Sequence, residues 1–175
     1  MNTKARKAGP NPDDARAIFD AVRHIVRALR LSARDSEQHV GLSSAQLFVL
    51  NQLRDGKGLA LIDLAARTFT DSSSVSVVVS KLVEKGLVAR VRAVNDGRRV
   101  TITLTAAGRQ VLRTGPDPAQ NRFVAAIAAL PPRKRAELAG LLDTVVSHMG
   151  LGGRAGLFFE DETSVPARKG RHVGA

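Results

Sequence analysis

Between Asp71 and Gly86 the chain reads Asp-Ser-Ser-Ser-Val-Ser-Val-Val-Val-Ser-Lys-Leu-Val-Glu-Lys-Gly. Ser72, Ser73, Ser74, Ser76, Ser80 and Lys81 crowd hydrogen-bonding groups into one short segment, and no general base stands beside them. The chemistry they suit is recognition rather than bond-making: hydroxyls bond base edges or phosphates, and lysine neutralises phosphate. On a helix, Val75, Val79, Leu82 and Val83 fall at i, i+4, i+7 and i+8, one apolar stripe. The other side carries Ser73, Ser74, Ser76, Val77, Ser80 and Lys81, with almost no acid until Glu84. An ordinary solvated helix interleaves Glu and Lys there, whereas small side chains let a helix backbone sink into a DNA major groove. Two plainer readings stand beside this one. The segment also suits a serine-rich surface helix, or a buried strand, since Val75 to Val79 is rich in β-branched residues.

Composition narrows the choice. With 175 residues and 43% hydrophobic content the chain is one ordinary globular domain with an aliphatic core. Its net charge of +11 points to an anionic partner, nucleic acid first and an anionic membrane surface second. The absence of cysteine excludes disulfides, thiolate metal sites, Cys nucleophiles and thiol redox sensing. His24, His39, His148 and His172 lack ligand spacing, so no metal or other cofactor is expected. No Gly-rich phosphate loop, Gly-x-Ser-x-Gly elbow, His-Glu-x-x-His or paired catalytic carboxylate appears. The chain therefore reads as a non-enzyme with no catalytic residues. No apolar run approaches the ~18 residues of a membrane span. The basic N-terminus has no hydrophobic segment behind it, which makes a cytoplasmic protein without membrane attachment the expectation.

The elements that must position the serine face follow from the chain in order. Residues 1–12 are basic, end in Pro10-Asn11-Pro12, and read as a flexible arm. Asp13 or Asp14 caps a helix striped by Ile18, Val22, Ile25 and Leu29, which frays between Leu31 and Glu37. Ser43 with Gln46 makes a capping box, and Leu42 with Leu47 a hydrophobic staple, for a helix running to about Leu53. A third helix spans about Ile62 to Thr68, and Asp71 caps the fourth, with Gly86 just past its end. Short helix, tight turn and polar-faced helix is helix-turn-helix order. The period then changes from 3.6 to 2. Leu87 to Ala93 and Val100 to Leu104 read as two strands around an Asn95-Asp96-Gly97 turn, a hairpin with a basic tip. From Lys81 to Arg113 eight Lys/Arg face two acids, the footprint of a phosphate-tracking surface. Thr105 caps the next helix, Gly115-Pro116-Asp117-Pro118 breaks it, and Phe123, Ile127 and Leu130 stripe its resumption. After Pro131-Pro132 a last helix carries Leu138, Leu141, Leu142, Val145 and Met149 on one face. The outer helices show more apolar stripe than one small domain can cover, and burial against a second copy is the simplest solution. Residues 150–175 read as mostly disordered.

Residues 13–149 as a whole resemble the MarR (multiple-antibiotic-resistance regulator) family of bacterial transcription factors. Four pieces carry the resemblance: Leu42 to Leu50; Asp63-Leu64-Ala65-Ala66-Arg67 with Ser73-Ser74-Val75-Ser76; Leu82 to Val88; and Asp96-Gly97-Arg98 followed by Leu104-Thr105-Ala106-Ala107-Gly108. Each is weak alone, and their order and spacing are specific. The resemblance implies a fold that is mainly α with a small β-hairpin wing: a winged helix-turn-helix (about 42–108) between dimerisation helices (about 13–36 and 109–149). It implies a homodimer on a pseudo-palindromic double-stranded operator, with recognition helices in major grooves about 34 Å apart and wings in the flanking minor grooves. Carried over by position, Ser72, Ser73, Ser74, Ser76 and Val77 face bases or nearby phosphates, and Lys81 reaches a phosphate. Arg98, held by Asp96, enters or flanks the minor groove, with Arg99 as a second contact. Val77 stands where many members place a larger polar residue, Phe69 where a turn Gly is frequent, and the Gly115–Pro118 break falls within a helix that is continuous in many members.

The resemblance also implies repression relieved by a small-molecule effector held between the dimer helices and the winged domain. Phe48, His24, Arg27 and His39 neighbour that region by pattern, and each reads as packing or surface, so no effector residues are assigned. Two rival functions remain: a non-specific architectural DNA-binding protein, and a winged helix used as a protein-interaction module.

Overall fold

The protein's structure, a computed structural model, is described for residues 11–93 and 96–151; for residues 93 and 96–99 only the backbone is described. Apart from residues 11–12 and 150–151, the expected arm and tail lie outside the described residues.

Helix α1 (Pro12–Val40) starts two residues earlier than a cap at Asp13 would allow, and three earlier than a cap at Asp14. The Asn11 side chain accepts from the Asp13 backbone N–H, and proline fills the first helical position, where its missing N–H costs nothing. Asp13 and Asp14 sit in the first turn, facing the positive end of the helix dipole. The helix does not fray after Leu31 as the sequence suggests. It runs to Val40 and stops at Gly41, whose φ of +64° is left-handed. The polar residues that read as an ending are buried instead: Ser36 donates its hydroxyl to the Ser32 carbonyl, and Ser32 Oγ accepts from the Ala119 backbone N–H at 2.9 Å. Small side chains there let a later helix lie close against α1.

Helix α2 (Ser44–Gln52) has the expected capping box, with Ser43 and Gln46 bonded reciprocally. Leu42 and Leu47, the expected staple, are both buried. Strand β1 (Leu59–Ala60) leads without a loop into α3 (Leu61–Arg67), and α4 (Ser72–Glu84) follows. Strands β2 (Val88–Ala93) and β3 (Asp96–Leu104) complete an antiparallel sheet ordered β1-β3-β2. Leu59 pairs with Ile102, and Val88 with Leu104. The sequence yields only the hairpin; the third strand is added by the structure. The turn expected at Asn95-Asp96-Gly97 also shifts, because Asp96 and Gly97 already belong to β3 and Asp96 pairs with Ala93. Helices α5 (Ala106–Thr114), α6 (Ala119–Ala128) and α7 (Pro132–His148) follow, separated by the expected breaks.

One core joins these elements. Leu47, Leu50, Leu53, Leu64, Val75, Val79, Leu82, Ile102, Leu104 and Leu112 are buried together, each of the larger side chains contributing about 1.5–3 kcal/mol. The apolar face of α4 is rotated from the expected stripe. Val78 is buried and Val83 is exposed, because at 100° per residue Val78 lies nearer than Val83 to the centre of the Val75–Val79–Leu82 face. Two surfaces stay uncovered. The first half of α1 exposes Ile18, Phe19, Val22, Ile25 and Val26, and α7, which buries no residue, exposes Leu141, Leu142, Val145 and Val146, with Met149 exposed just past its end.

Candidate nucleic-acid interface

Helix α4 presents a hydroxyl-rich face because its other side is spent on the core. Ser72, Ser73, Val77 and Lys81 are exposed, and Ser74, Ser76 and Ser80 are half-buried. Val77 is the only large apolar side chain on this face, 56% exposed.

Asp71 fastens the start of the helix. One carboxylate oxygen accepts from the Ser73 backbone N–H at 2.9 Å, the Ser74 backbone N–H at 3.1 Å and the Ser73 hydroxyl. The other accepts from the Ser74 hydroxyl at 3.0 Å. The Ser73 hydroxyl first, then the Ser74 N–H and hydroxyl, hold the Asp71 carboxyl well below the usual carboxylate range. The cap is legible from sequence, but the tie between its carboxylate and both hydroxyls is not.

At the other end, Gly86 takes φ of +69°, and Lys85 Nζ donates to the Gly41 carbonyl at 2.9 Å. The end of α4 is thereby tied to the end of α1. A basic neighbour absent from the sequence-derived contacts is Arg90 on β2. Its guanidinium donates to Ser80 Oγ at 3.0 Å, which sets a cation beside the serine face. The signal was in the sequence, a basic residue four positions past a helix-ending Gly, but strand periodicity alone does not say which helix it meets.

The wing is rooted firmly. Thr105 Oγ1 donates to the carbonyls of Gly86 and Leu87, and accepts from the Gly108 N–H at 3.0 Å. Gly108 has no side chain for a geometric reason: a Cβ there would stand 2.1 Å from the Leu87 carbonyl oxygen. The Leu-Thr-x-x-Gly run is therefore a packing joint. Further out, Val91 and Val100 are exposed, and Thr101 Oγ1 bonds the Val91 carbonyl. Asp96, Arg98 and Arg99 lie on β3, and their side chains fall outside the described residues.

The turn between α3 and α4 has one unusual residue. Phe69 adopts φ of +57°, the sole non-glycine residue in that region among the described residues, and is 74% exposed. With Phe123, Val124, Ile127 and Ala128 of α6 and Arg135 of α7 it lines a largely apolar cavity of about 250 Å3. Phe48 is core, while His24, Arg27 and His39 lie on the surface. Among the described residues no cluster of three His, Asp or Glu is placed to hold a metal ion, and no helix is long and apolar enough to cross a membrane.

Comparison with known proteins supplies the lineage of this arrangement. A MarR family profile matches residues 40–99, which run from the end of α1 through the helix-turn-helix into β3. Over 74 residues the chain is 32% identical to the HTH-type transcriptional repressor MdtR of Bacillus subtilis, covering 42% of this chain and 48% of that protein. The chain thus spans about half the length of this curated relative. It is 30% identical over 124 residues to a putative transcriptional regulatory protein for the hcr operon of Thauera aromatica, covering 71% of this chain and 75% of that one. Its fold is similar to that of the transcriptional regulator BldR from Sulfolobus solfataricus, with a TM-score of 0.51 at 24% identity, over 80% of this chain and 99% of that one. These relatives are transcriptional regulators and not enzymes. By its profile match across the helix-turn-helix and its similarity over three quarters of a regulator's length, the chain belongs to the MarR family.

Proposed function

We propose that the chain is a sequence-specific, double-stranded-DNA-binding transcriptional repressor that acts as a cytoplasmic homodimer. The observation that carries this reading is α4, one face buried in the core and the other a row of exposed or half-exposed hydroxyls beside Lys81 and Arg90. The proposed contacts are Ser72, Ser73, Ser74, Ser76 and Val77 to bases or adjacent phosphates, Lys81 to phosphate, and Arg98 and Arg99 of the wing, with Asp96 steadying Arg98. Winged helix-turn-helix residues about 42–108 form the reading unit, and the helices on either side form the dimer arms. The exposed apolar rows of α1 and α7 support that division, because side chains such as Leu141, 60% exposed in a single chain, gain cover from a second copy. A repressor among the relatives supports the sign of regulation. The cavity between the Phe69 turn and helices α6 and α7 supports release by a small molecule, since a ligand there favours whichever spacing of turn and arm fits it.

The test is a titration of the full chain against the DNA upstream of its own gene and against scrambled DNA, at 50 and 200 mM salt. A protein holding about 6–10 phosphates loses roughly a thousandfold or more across that interval. Arg98→Ala weakens binding without unfolding the chain. Equal affinity for both DNAs assigns an architectural role instead, and a flat salt response removes DNA as the partner.

A further inference from the structure

Hydroxyl groups on a reading helix are usually treated as two-way contacts, since each has one hydrogen to give and two lone pairs to offer. In this chain that freedom is already spent. The Ser74 hydroxyl donates to one oxygen of Asp71, while the other oxygen takes the Ser73 hydroxyl and the backbone N–H groups of Ser73 and Ser74. Both hydroxyl hydrogens point back to the cap, and only lone pairs face outward.

We infer that Asp71 fixes the polarity with which Ser74 reads a base pair, restricting that position to an exocyclic amino group, adenine N6 or cytosine N4, and turning away thymine O4, guanine O6 and phosphate oxygens. The inference rests on the DNA-binding function proposed above. In the major groove, adenine and cytosine present an amino donor where thymine and guanine present a carbonyl acceptor. An oxygen with no hydrogen to give meets those carbonyls lone pair to lone pair. Asp71 touches no DNA in this scheme and acts as a positioning residue. Asp71→Asn separates that role from capping. Asparagine caps helices about as well as aspartate, and its single oxygen can keep the three donors at Ser73 and Ser74. The other oxygen becomes an amide NH2, which donates to Ser74 Oγ and frees the Ser74 hydrogen to point outward.

The experiment is selection of duplexes from a randomised library by the full chain, Ser74→Ala and Asp71→Asn, with far-UV circular dichroism confirming that each variant is folded. The parent enriches adenine or cytosine at one position per half-site, Ser74→Ala flattens that position alone, and Asp71→Asn admits thymine or guanine there. Removing the amino group of the selected base (purine for adenine, 2-pyrimidinone for cytosine) weakens the parent by roughly 2- to 12-fold, the range of one neutral hydrogen bond, and leaves Ser74→Ala unchanged. Four outcomes overturn the inference: a Ser74-dependent preference for thymine or guanine, a uniform loss across all sequences with Ser74→Ala, no effect of Ser74→Ala, or an Asp71→Asn profile identical to the parent's. If the parent enriches nothing, the proposed DNA-binding function falls first and this inference with it.

Discussion

Gly108→Ala sets two known effects against each other at one site. In a helix interior alanine is favoured over glycine by about 1 kcal/mol, and propensity alone predicts a more stable protein. The structure predicts the reverse. A Cβ on Gly108 would lie 2.1 Å from the Leu87 carbonyl oxygen, where less than 3.0 Å essentially never occurs, and 3.1 Å from a Leu104 methyl. Relief requires about 1 Å of separation between α5 and the start of β2. That carbonyl cannot move alone, because it accepts from Thr105 N and Thr105 Oγ1 at 3.1 Å each. Overpacking a well-filled site costs about 1–3 kcal/mol, and a clash against anchored backbone belongs at the upper end. Subtracting the helical gain leaves a loss of about 2 kcal/mol, or roughly 4–8 °C in Tm for a domain of this size. Urea unfolding followed at 222 nm by circular dichroism reads it directly; fluorescence does not serve, since the chain has no Trp and no Tyr. A Gly108→Ala protein as stable as the parent, or more so, would refute the packing joint between wing and α5.

Three further perturbations test other parts of the structure. The Asp71 carboxyl is held below its ordinary value in the fold, so its capping contribution is fully present above about pH 4 and fades as acid passes through the lower folded value. The gap in urea midpoint between the parent and Asp71→Ala therefore holds from about pH 7 to pH 5 and narrows below about pH 4; a gap that widens in acid contradicts the capping geometry. Phe69→Gly relieves a left-handed residue at the cost of a mostly exposed side chain. Stability rises by up to about 1 kcal/mol, the left-handed penalty less the extra freedom of an unfolded glycine, and a fall in denaturation midpoint shows that the cavity contacts matter more. Leu141→Asp combined with Val145→Asp changes two side chains that are exposed in a single chain. If the proposed dimer uses α7, sedimentation at micromolar concentration changes from dimer to monomer with helicity retained, while an unchanged sedimentation coefficient removes α7 from the interface.

What the sequence makes legible is local. The Ser43–Gln46 capping box, the Asp71 and Thr105 caps and the proline breaks are short-range rules, and each appears where the residues place it. What it hides depends on neighbours distant in the chain. Ser32 and Ser36 read as the fraying of α1 because polar residues usually mark an end; here they are small enough to admit α6, and Ser32 takes the Ala119 N–H. Two residues, Leu59 and Ala60, are too short a run to announce β1, and they merge by pattern with the start of α3. Val78 lies only slightly nearer than Val83 to the centre of the stripe, a margin too small to separate them by pattern, and packing in the core settles which is buried. At the interface the serine face could be read directly, but the commitment of the Ser73 and Ser74 hydroxyls to Asp71, and the seating of Arg90 on Ser80, required coordinates.

The two-residue strand β1 has a mechanical consequence out of proportion to its length. It pairs with the inner end of β3 and passes straight into α3, so the hairpin and the helix pair share one footing. Moving one relative to the other therefore strains the Leu59–Ile102 and Ala60–Thr101 pairing, which couples the hairpin to the helix pair. Under the DNA-binding function proposed above, a duplex meeting both elements would itself have to supply the matching groove-to-groove distance, which would favour sequences that bend or narrow easily even where no side chain touches a base.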